Sequence, residues 1–207
     1  MLSELGSWVQ DVIESLGYLG VALLVVLENV FPPIPSEIVL PFAGFVAQRG
    51  DASVVVMILV ATLGSVVGAW ILYGIAALIG PDRLRAFIVR FGRWFGVKES
   101  DLDRAEQWFD ERAVAAVLIG RCVPLIRSIV SIPAGFRRMN VLTFTAYTAL
   151  GSFVWNLGLI GAGAILGNQW DVVEGYIGIL QWIVVAIILA VVARYALVLV
   201  RRRRSMR

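Results

Sequence analysis

Histidine is absent from this 207-residue chain, and cysteine occurs only once, at Cys122. Without histidine the chain cannot build a His-dependent catalytic triad, an HExxH zinc site or the centre of a histidine-using lipid phosphatase. A lone cysteine has no partner for an internal disulfide, so we interpret Cys122 as a small apolar filler. We therefore expect no bound metal and no cofactor.

Charged residues are also scarce. They make up 16% of the sequence, whereas apolar residues make up 59% and the mean hydropathy is +0.85. No water-soluble domain of this size could bury so much hydrocarbon, so the bilayer must be the solvent for most of the chain. The charges cluster at 81–112, at 137 and 138, and at 201–207, which leaves long apolar intervals as candidate membrane segments. Aspartate is absent from the predicted membrane segments 17–50, 53–79, 113–136, 141–167 and 176–200, so they hold no Asp-rich metal motif of a lipid-modifying enzyme, and we expect no enzymatic activity.

The pattern predicts an all-α integral membrane protein with two inverted repeats, each a re-entrant helical hairpin plus a transmembrane helix, followed by a further C-terminal transmembrane helix. The predicted segments of this single membrane domain, 1–207, are an amphipathic helix at 1–16, a re-entrant hairpin at 17–50, a transmembrane helix at 53–79, a cytoplasmic amphipathic linker at 81–112, a second re-entrant hairpin at 113–136, transmembrane helices at 141–167 and 176–200, and a basic tail at 201–207.

Prolines mark the breaks in the two hairpins. The predicted breaks lie at Pro32, Pro33, Pro35, Pro124 and Pro133. A proline inside a helix removes a backbone donor and clashes with the preceding turn, at a cost of about 3 kcal/mol. The apolar flanks are each shorter than the roughly 20 residues that a span needs. A re-entrant hairpin with its unwound tip buried in protein satisfies both constraints.

Three polar or amphipathic segments each leave two interpretations open. The apolar stripe of 1–16 fits a helix lying on lipid and a helix docked on other helices equally well. The interleaved arginines and aromatics of 81–112 indicate an interfacial helix, with a protein-binding face as the alternative. The basic run at 201–207 fits a cytoplasmic tail and also a stop-transfer anchor.

Two short motifs recur in the two halves of the chain. Leu-Gly-Ser at 63–65 recurs at 150–152, and Pro-Phe-Ala-Gly at 41–44 has a counterpart in Pro-Ala-Gly at 133–135. The distribution of Lys and Arg places the C-terminus and the linker in the cytoplasm and opens the first hairpin to the outside. One hairpin entering from each face gives the inverted repeat of an alternating-access transporter.

Four charged residues lie at membrane depth in this arrangement: Glu28, Glu37, Arg121 and Arg127. Each would cost about 2.5–3.5 kcal/mol at a helix centre on insertion scales, so they should face the protein interior and pair. Such pairing is close to neutral in free energy, so ligand binding is the reason to retain the charges. Glu37 has an alternative role in the first turn of the returning helix, and Arg127 has one as a side chain that snorkels to the interface.

The arginine pair indicates the ligand. Arg121 and Arg127 flank Pro124, so they would combine planar donor forks with backbone N–H groups freed by the proline, which suits phosphate. Glu28, predicted to lie opposite Arg121, could take up a proton when a headgroup occupies the arginine. The predicted partners are therefore a phosphate-bearing membrane lipid and protons, and no nucleic acid is expected. GxxxG spacings serve packing within one chain or between chains, so a homo-oligomer stays open.

At these residues the chain resembles the DedA family, also called the SNARE-associated Golgi protein or VTT-domain family. The resemblance covers about residues 17–167 and rests on Glu28 with the 31–37 stretch, Gly44, the 64–73 span, Gly120, Arg121, Pro124, Arg127, Ala134, Gly135, Met139, Phe144, Gly151 and Trp155. Cys122 departs from the family, in which a bulky aromatic is common at this place.

The resemblance implies a multi-pass lipid transporter of the bacterial cytoplasmic membrane. Bacterial members are similar to flippases that return undecaprenyl phosphate across the membrane or move phosphatidylethanolamine, and eukaryotic relatives scramble phospholipids. The family's functional acids would correspond to Glu28 and Glu37, and its arginines to Arg121 and Arg127. The alternative function is proton-coupled transport of a small solute or ion, because a soluble cation would need the carboxylates alone.

Overall fold

The structure is a computed structural model that describes residues 2–31, 36–50, 52–81, 83, 99–124 and 126–166. All regular secondary structure in those ranges is α-helical. The predicted breaks at Pro32, Pro33 and Pro35, the predicted span at 176–200 and the basic tail at 201–207 lie outside the described residues.

The helices are α1 (Leu2–Leu16), α2 (Tyr18–Val30), α3 (Ser36–Arg49), α4 (Val54–Ile79), α5 (Glu99–Arg121), α6 (Ile126–Ile129), α7 (Ser131–Phe136) and α8 (Val141–Ile165). Among the described residues, α4 and α8 are the two helices that are long and apolar enough to cross a membrane, with 26 and 25 residues. Both begin at a side-chain cap, because Ser53 accepts from Val56 N at 3.5 Å and Asn140 accepts from Thr143 N at 3.1 Å.

An interrupted segment precedes each of the two long helices. Helices α2 and α3 precede α4, and helices α5, α6 and α7 precede α8. Helix α2 ends at Val30 and α3 begins at Ser36. Helix α5 departs from helical geometry at Arg112, where φ is −133° and ψ is 23°, and ends before a turn that contains Pro124. Helix α6 ends at Ile129, four residues before Pro133, and α7 begins at Ser131, so Pro133 lies in the first turn of α7, where a missing N–H removes no intrahelical hydrogen bond.

The first arm of each broken segment packs on the long helix that follows it. Helix α2 packs on α4 at Gly64, where an added Cβ would lie 2.8 Å from the Ala22 carbonyl oxygen. Helix α5 packs on α8 at Gly151, where an added Cβ would lie 2.8 Å from the Leu118 carbonyl oxygen. The GxxxG spacing that starts at Gly64 therefore serves packing within the chain.

The second arm of each broken segment packs on the long helix of the other half. In α3, a Cβ at Gly44 would lie 2.0 Å from the Ile160 carbonyl oxygen of α8. In α7, a Cβ at Gly135 would lie 2.3 Å from the Tyr73 carbonyl oxygen of α4. Tyr73 stands nine residues after Gly64, as Ile160 stands nine after Gly151, so the two halves use equivalent positions for these contacts.

Helix α1 is docked on protein along one side. Val9 and Ile13 are buried, and the helix contacts α2 and α3. At Gly20 of α2 an added Cβ would lie 2.5 Å from the Val12 carbonyl oxygen, so the backbones of α1 and α2 approach closely. Of the two interpretations of 1–16, docking on other helices accounts for the buried Val9 and Ile13. Trp8 lies outside this buried stripe and is exposed.

An exposed ion pair connects α5 to the turn after α7. The Arg137 guanidinium donates from Nε to Asp110 Oδ1 at 2.7 Å and from Nη2 to Asp110 Oδ2. The bidentate geometry fixes the orientation of the two groups, but water screens them, so the pair contributes little to stability. Arg137 therefore serves as an exposed control for arginines that form ion pairs in the protein interior.

Candidate functional site

Three of the four predicted charged residues meet in the interior where α2, α5 and α6 approach one another. Glu28 is 3% exposed, Arg121 is 1% exposed and Arg127 is 6% exposed. Long charged side chains are almost never this buried without partners, because leaving water costs each charge several kcal/mol by the usual estimate. We call the set Glu28, Asn29, Arg121, Arg127 and Ser131 the charged cluster.

Glu28 pairs with Arg127. Arg127 Nη2 donates to Glu28 Oε1 in a buried ion pair. Our prediction that Glu28 lies opposite Arg121 was wrong, because the turn around Pro124 brings α6, and with it Arg127, against α2. The second carboxylate oxygen, Oε2, is buried and has no hydrogen-bond partner among the residues that the structure describes. Arg127 therefore does not snorkel to the membrane interface.

Neutral groups hold Arg121. Its Nη1 donates to Asn29 Oδ1 at 3.2 Å, and its Nη2 donates to Ser131 Oγ at 2.6 Å. Its guanidinium carbon lies 5.9 Å from the centroid of the Phe144 ring, within the range of a cation–π contact. Among the described residues no carboxylate contacts Arg121, and its buried Nε has no partner. The cluster thus contains one positive charge that no negative side chain in contact balances.

The backbone of the Pro124 turn is already satisfied. Cys122 N donates to Ile119 O at 3.0 Å, and Val123 N donates to Gly120 O at 3.2 Å. Our prediction that the proline frees backbone donors for a ligand was therefore wrong for these two groups, because the turn closes on the last carbonyls of α5. Among the described residues of this region, the arginine side chains are the charged donors that could bind an anion.

Glu37 stands apart from the ion pair. It is half-buried in the first turn of α3, where a carboxylate interacts favourably with the helix N-terminus. Among the residues that the structure describes, it forms no salt bridge with Arg121 or Arg127. Glu37 therefore takes no part in the described contacts of the charged cluster.

Three residues of the site were absent from our sequence-based set. Asn29 connects α2 to α5. Its Nδ2 donates to Val25 O of α2 at 2.9 Å, and its Oδ1 accepts from Arg121 of α5. Ser131 and Phe144 supply the other contacts to Arg121. Of the three, Asn29 could have been found from the sequence. It is a carboxamide next to Glu28 inside an apolar run, where an unpaired polar group is costly and therefore needs a partner.

Side chains that commonly bind metal ions do not cluster in the described part of the chain. Within the described ranges, no group of three or more His, Cys, Asp or Glu residues could hold a metal ion. Cys122 is half-buried, and its Sγ lies 3.7 Å from Leu118 O and 3.8 Å from Gly151 O. Those are packing contacts of a small side chain between α5 and α8.

The fold and the site define a class: a helical membrane protein with a buried arginine–glutamate cluster beside interrupted helices. The VTT domain family matches residues 34–165. The chain therefore belongs to the VTT-domain family, the DedA family of membrane proteins, which confirms the family predicted from the sequence. No solved structure matches the chain.

Relatives match over nearly the whole chain. "Undecaprenyl phosphate transporter A" of Staphylococcus aureus is 37% identical over 199 residues, covering 96% of this chain and 98% of the relative. A Lactococcus lactis protein named "Alkaline phosphatase-like protein" is 39% identical over 194 residues, covering 93% of this chain and 91% of the relative. "Protein DedA" of Escherichia coli is 24% identical over 207 residues, covering 99% and 88%.

Proposed function

We propose that this protein transports a phosphate-bearing lipid, such as undecaprenyl phosphate or a phospholipid, across the bacterial cytoplasmic membrane. The observation that carries the proposal is the buried pair of arginines: Arg127 is paired with Glu28, and the groups that contact Arg121 among the described residues are neutral. The name of the Staphylococcus aureus relative supports the choice of lipid. Arg121 and Arg127 would bind the headgroup, with Glu28 and Glu37 as the acids beside it.

The cluster suits an anionic headgroup for electrostatic reasons. With Glu28 ionised, one carboxylate faces two guanidinium groups, so a bound phosphate brings the site closer to neutral. Planar guanidinium forks match phosphate oxygens in a bidentate manner, and no backbone donor is needed. A small soluble cation would instead meet two repelling arginines, which disfavours the alternative of cation transport.

The proposal includes two inverted repeats, each with a re-entrant hairpin, and a cytoplasmic C-terminus. The packing of each second arm on the long helix of the other half supports this arrangement. Gly44 of α3 packs on α8, and Gly135 of α7 packs on α4 at the equivalent position. In such repeats alternating access is a rocking of one unit against the other around a fixed central site. The charged cluster is formed by side chains of α2 in the first unit and of α5, α6 and α7 in the second.

The inverted arrangement predicts that the two broken segments open to opposite faces of the membrane. Single cysteines at Ala52 and Val141, in a Cys122→Ser background, should react with an impermeant thiol reagent from outside and from inside, respectively. Val141 is chosen because it is exposed and leaves the Asn140 cap intact. Labelling of both positions from the same side would contradict the inverted repeat.

Purified protein in liposomes tests the function directly. We expect it to move labelled undecaprenyl phosphate or phosphatidylethanolamine between leaflets, without uptake of soluble phosphate or cations and without release of inorganic phosphate. Uptake of a soluble ion with no lipid movement would favour the alternative transporter. Release of phosphate from the lipid would favour a hydrolase, the activity suggested by the Lactococcus lactis protein's name.

Proton coupling is the finer part of the proposal, and it depends on Glu28. When a doubly charged phosphate monoester headgroup binds the two arginines, ionised Glu28 leaves the cluster net negative and protonated Glu28 leaves it neutral, so binding and proton uptake are linked. Glu28→Gln mimics the protonated carboxyl. It should bind lipid at least as well as wild type and lose the dependence of transport on a pH gradient. Wild-type rate and wild-type pH dependence in this variant would make Glu28 structural.

A further inference from the structure

A second set of buried polar side chains lies along the contact between α4 and α8. On α8, Thr148, Ser152 and Asn156 are all buried and stand four residues apart, so they form one stripe about 12 Å long. On α4, Thr62 and Ser65 are buried opposite this stripe. We call these five residues the polar track.

The track contains hydrogen-bonding atoms that the protein leaves unmet. Asn156 Nδ2 donates to Thr62 Oγ1 at 3.2 Å and to Ser65 Oγ at 3.5 Å, but its Oδ1 is buried without a partner in the described part of the chain. The same holds for Thr148 Oγ1, which is also buried and has no partner among the described residues. An unmet buried polar group costs about 1–3 kcal/mol, so two on one stripe indicate a ligand that supplies the missing hydrogen bonds.

The chemistry of the track fits water as that ligand. Its five side chains are hydroxyls and a carboxamide, so they offer both donors and acceptors but no charge to balance an ion in the membrane interior. A buried water needs about two to four polar partners, which neighbouring hydroxyls and a free carboxamide oxygen provide. A phosphate would be better served by the charged cluster.

The track adjoins the charged cluster on both helices. On α8, Gly151 precedes Ser152, and its added Cβ would lie 2.6 Å from Arg121 Cβ. On α4, Gly68 lies one turn after Ser65, and its added Cβ would lie 2.6 Å from Asn29 Cβ. We propose that the polar track binds a file of water molecules that carries protons to and from the charged cluster. The proton role rests on the proposed function, whereas the presence of water does not.

Cysteine accessibility tests the water file without reference to transport. In a Cys122→Ser background, Ser65→Cys and Ser152→Cys should react with a small charged methanethiosulfonate about tenfold faster than Ala69→Cys, because a thiol reacts as its thiolate and needs water. Ala69 is a matched control, since it is equally buried on α4 but packs in an apolar cluster with Phe144. Equal protection of all three positions would overturn the water file.

A transport measurement then tests its role. Asn156→Leu and Thr148→Val should reduce transport driven by a pH gradient to the level seen without a gradient, while lipid binding stays at the wild-type level. Thr145→Val is the control, because that hydroxyl is already bonded to Val141 O at 2.7 Å outside the track. Unchanged gradient dependence in both variants would overturn the proton role. Failure of the wild type to move lipid would refute the proposed function and leave the labelling result to decide the water file.

Discussion

Replacing Arg127 with methionine is expected to destabilise the fold by about 3–5 kcal/mol, because it leaves the Glu28 carboxylate buried without its counter-charge. Adding Glu28→Gln to that variant should recover most of the loss, because a neutral pair of similar volume no longer carries an uncompensated charge. The free energy of unfolding in mixed micelles, measured for both single variants and the double variant, gives the coupling energy.

The same experiment distinguishes a buried pair from a surface pair. Arg137→Met breaks the exposed bidentate pair with Asp110 and should cost less than about 1 kcal/mol. If Arg127→Met costs no more than Arg137→Met, the Glu28–Arg127 pair does not stabilise the interior. If the double variant is as unstable as Arg127→Met alone, the loss comes from packing and not from the unpaired carboxylate.

Alanine at Gly44 or Gly163 should cost on the order of 3 kcal/mol and reduce the yield of folded protein. The added Cβ would lie 2.0 Å from Ile160 O in the first case and 1.9 Å from Pro41 O in the second. Both atoms belong to backbone, so the side chains cannot relax the clash, and α3 must move away from α8.

Two glycines on the same helix provide the control. Gly158 and Gly161 of α8 have nothing within 4 Å of an added Cβ. Gly158→Ala and Gly161→Ala should therefore be neutral or gain up to about 1 kcal/mol from helix propensity. A thermal melt in detergent compares all four variants. Similar melting temperatures for Gly44→Ala and Gly158→Ala would show that the close approach of α3 and α8 is not required.

The charged cluster was predictable because charge inside apolar sequence has few explanations. Glu28, Arg121 and Arg127 stand out in otherwise apolar segments, and the bilayer penalty directs them to the interior. Which of them pair was not predictable. Five residues, including Pro124, separate the two arginines. The direction of the chain after that proline is set by packing of α6 on α2, which no local pattern encodes.

Neutral polar residues were harder to recognise than charges. Asn29, Ser131 and Asn156 carry a small penalty in lipid compared with an arginine, so their positions in apolar runs gave a weak signal. The spacing of Thr148, Ser152 and Asn156 was visible as a one-face stripe, but its meaning depends on Thr62 and Ser65 of a distant helix. The proposed repeat left a clearer signal in the sequence, because its Leu-Gly-Ser motifs contain Gly64 and Gly151, where helix backbones approach closely.

The most direct test of the account is lipid transport by lysine variants in liposomes. Lysine keeps the positive charge but loses the planar donor fork, so Arg121→Lys and Arg127→Lys should lose nearly as much undecaprenyl phosphate transport as the corresponding alanine variants. Arg137→Lys, at the exposed pair, should transport at the wild-type rate. Wild-type transport by both buried lysine variants would contradict the claim that the arginine forks bind the phosphate headgroup.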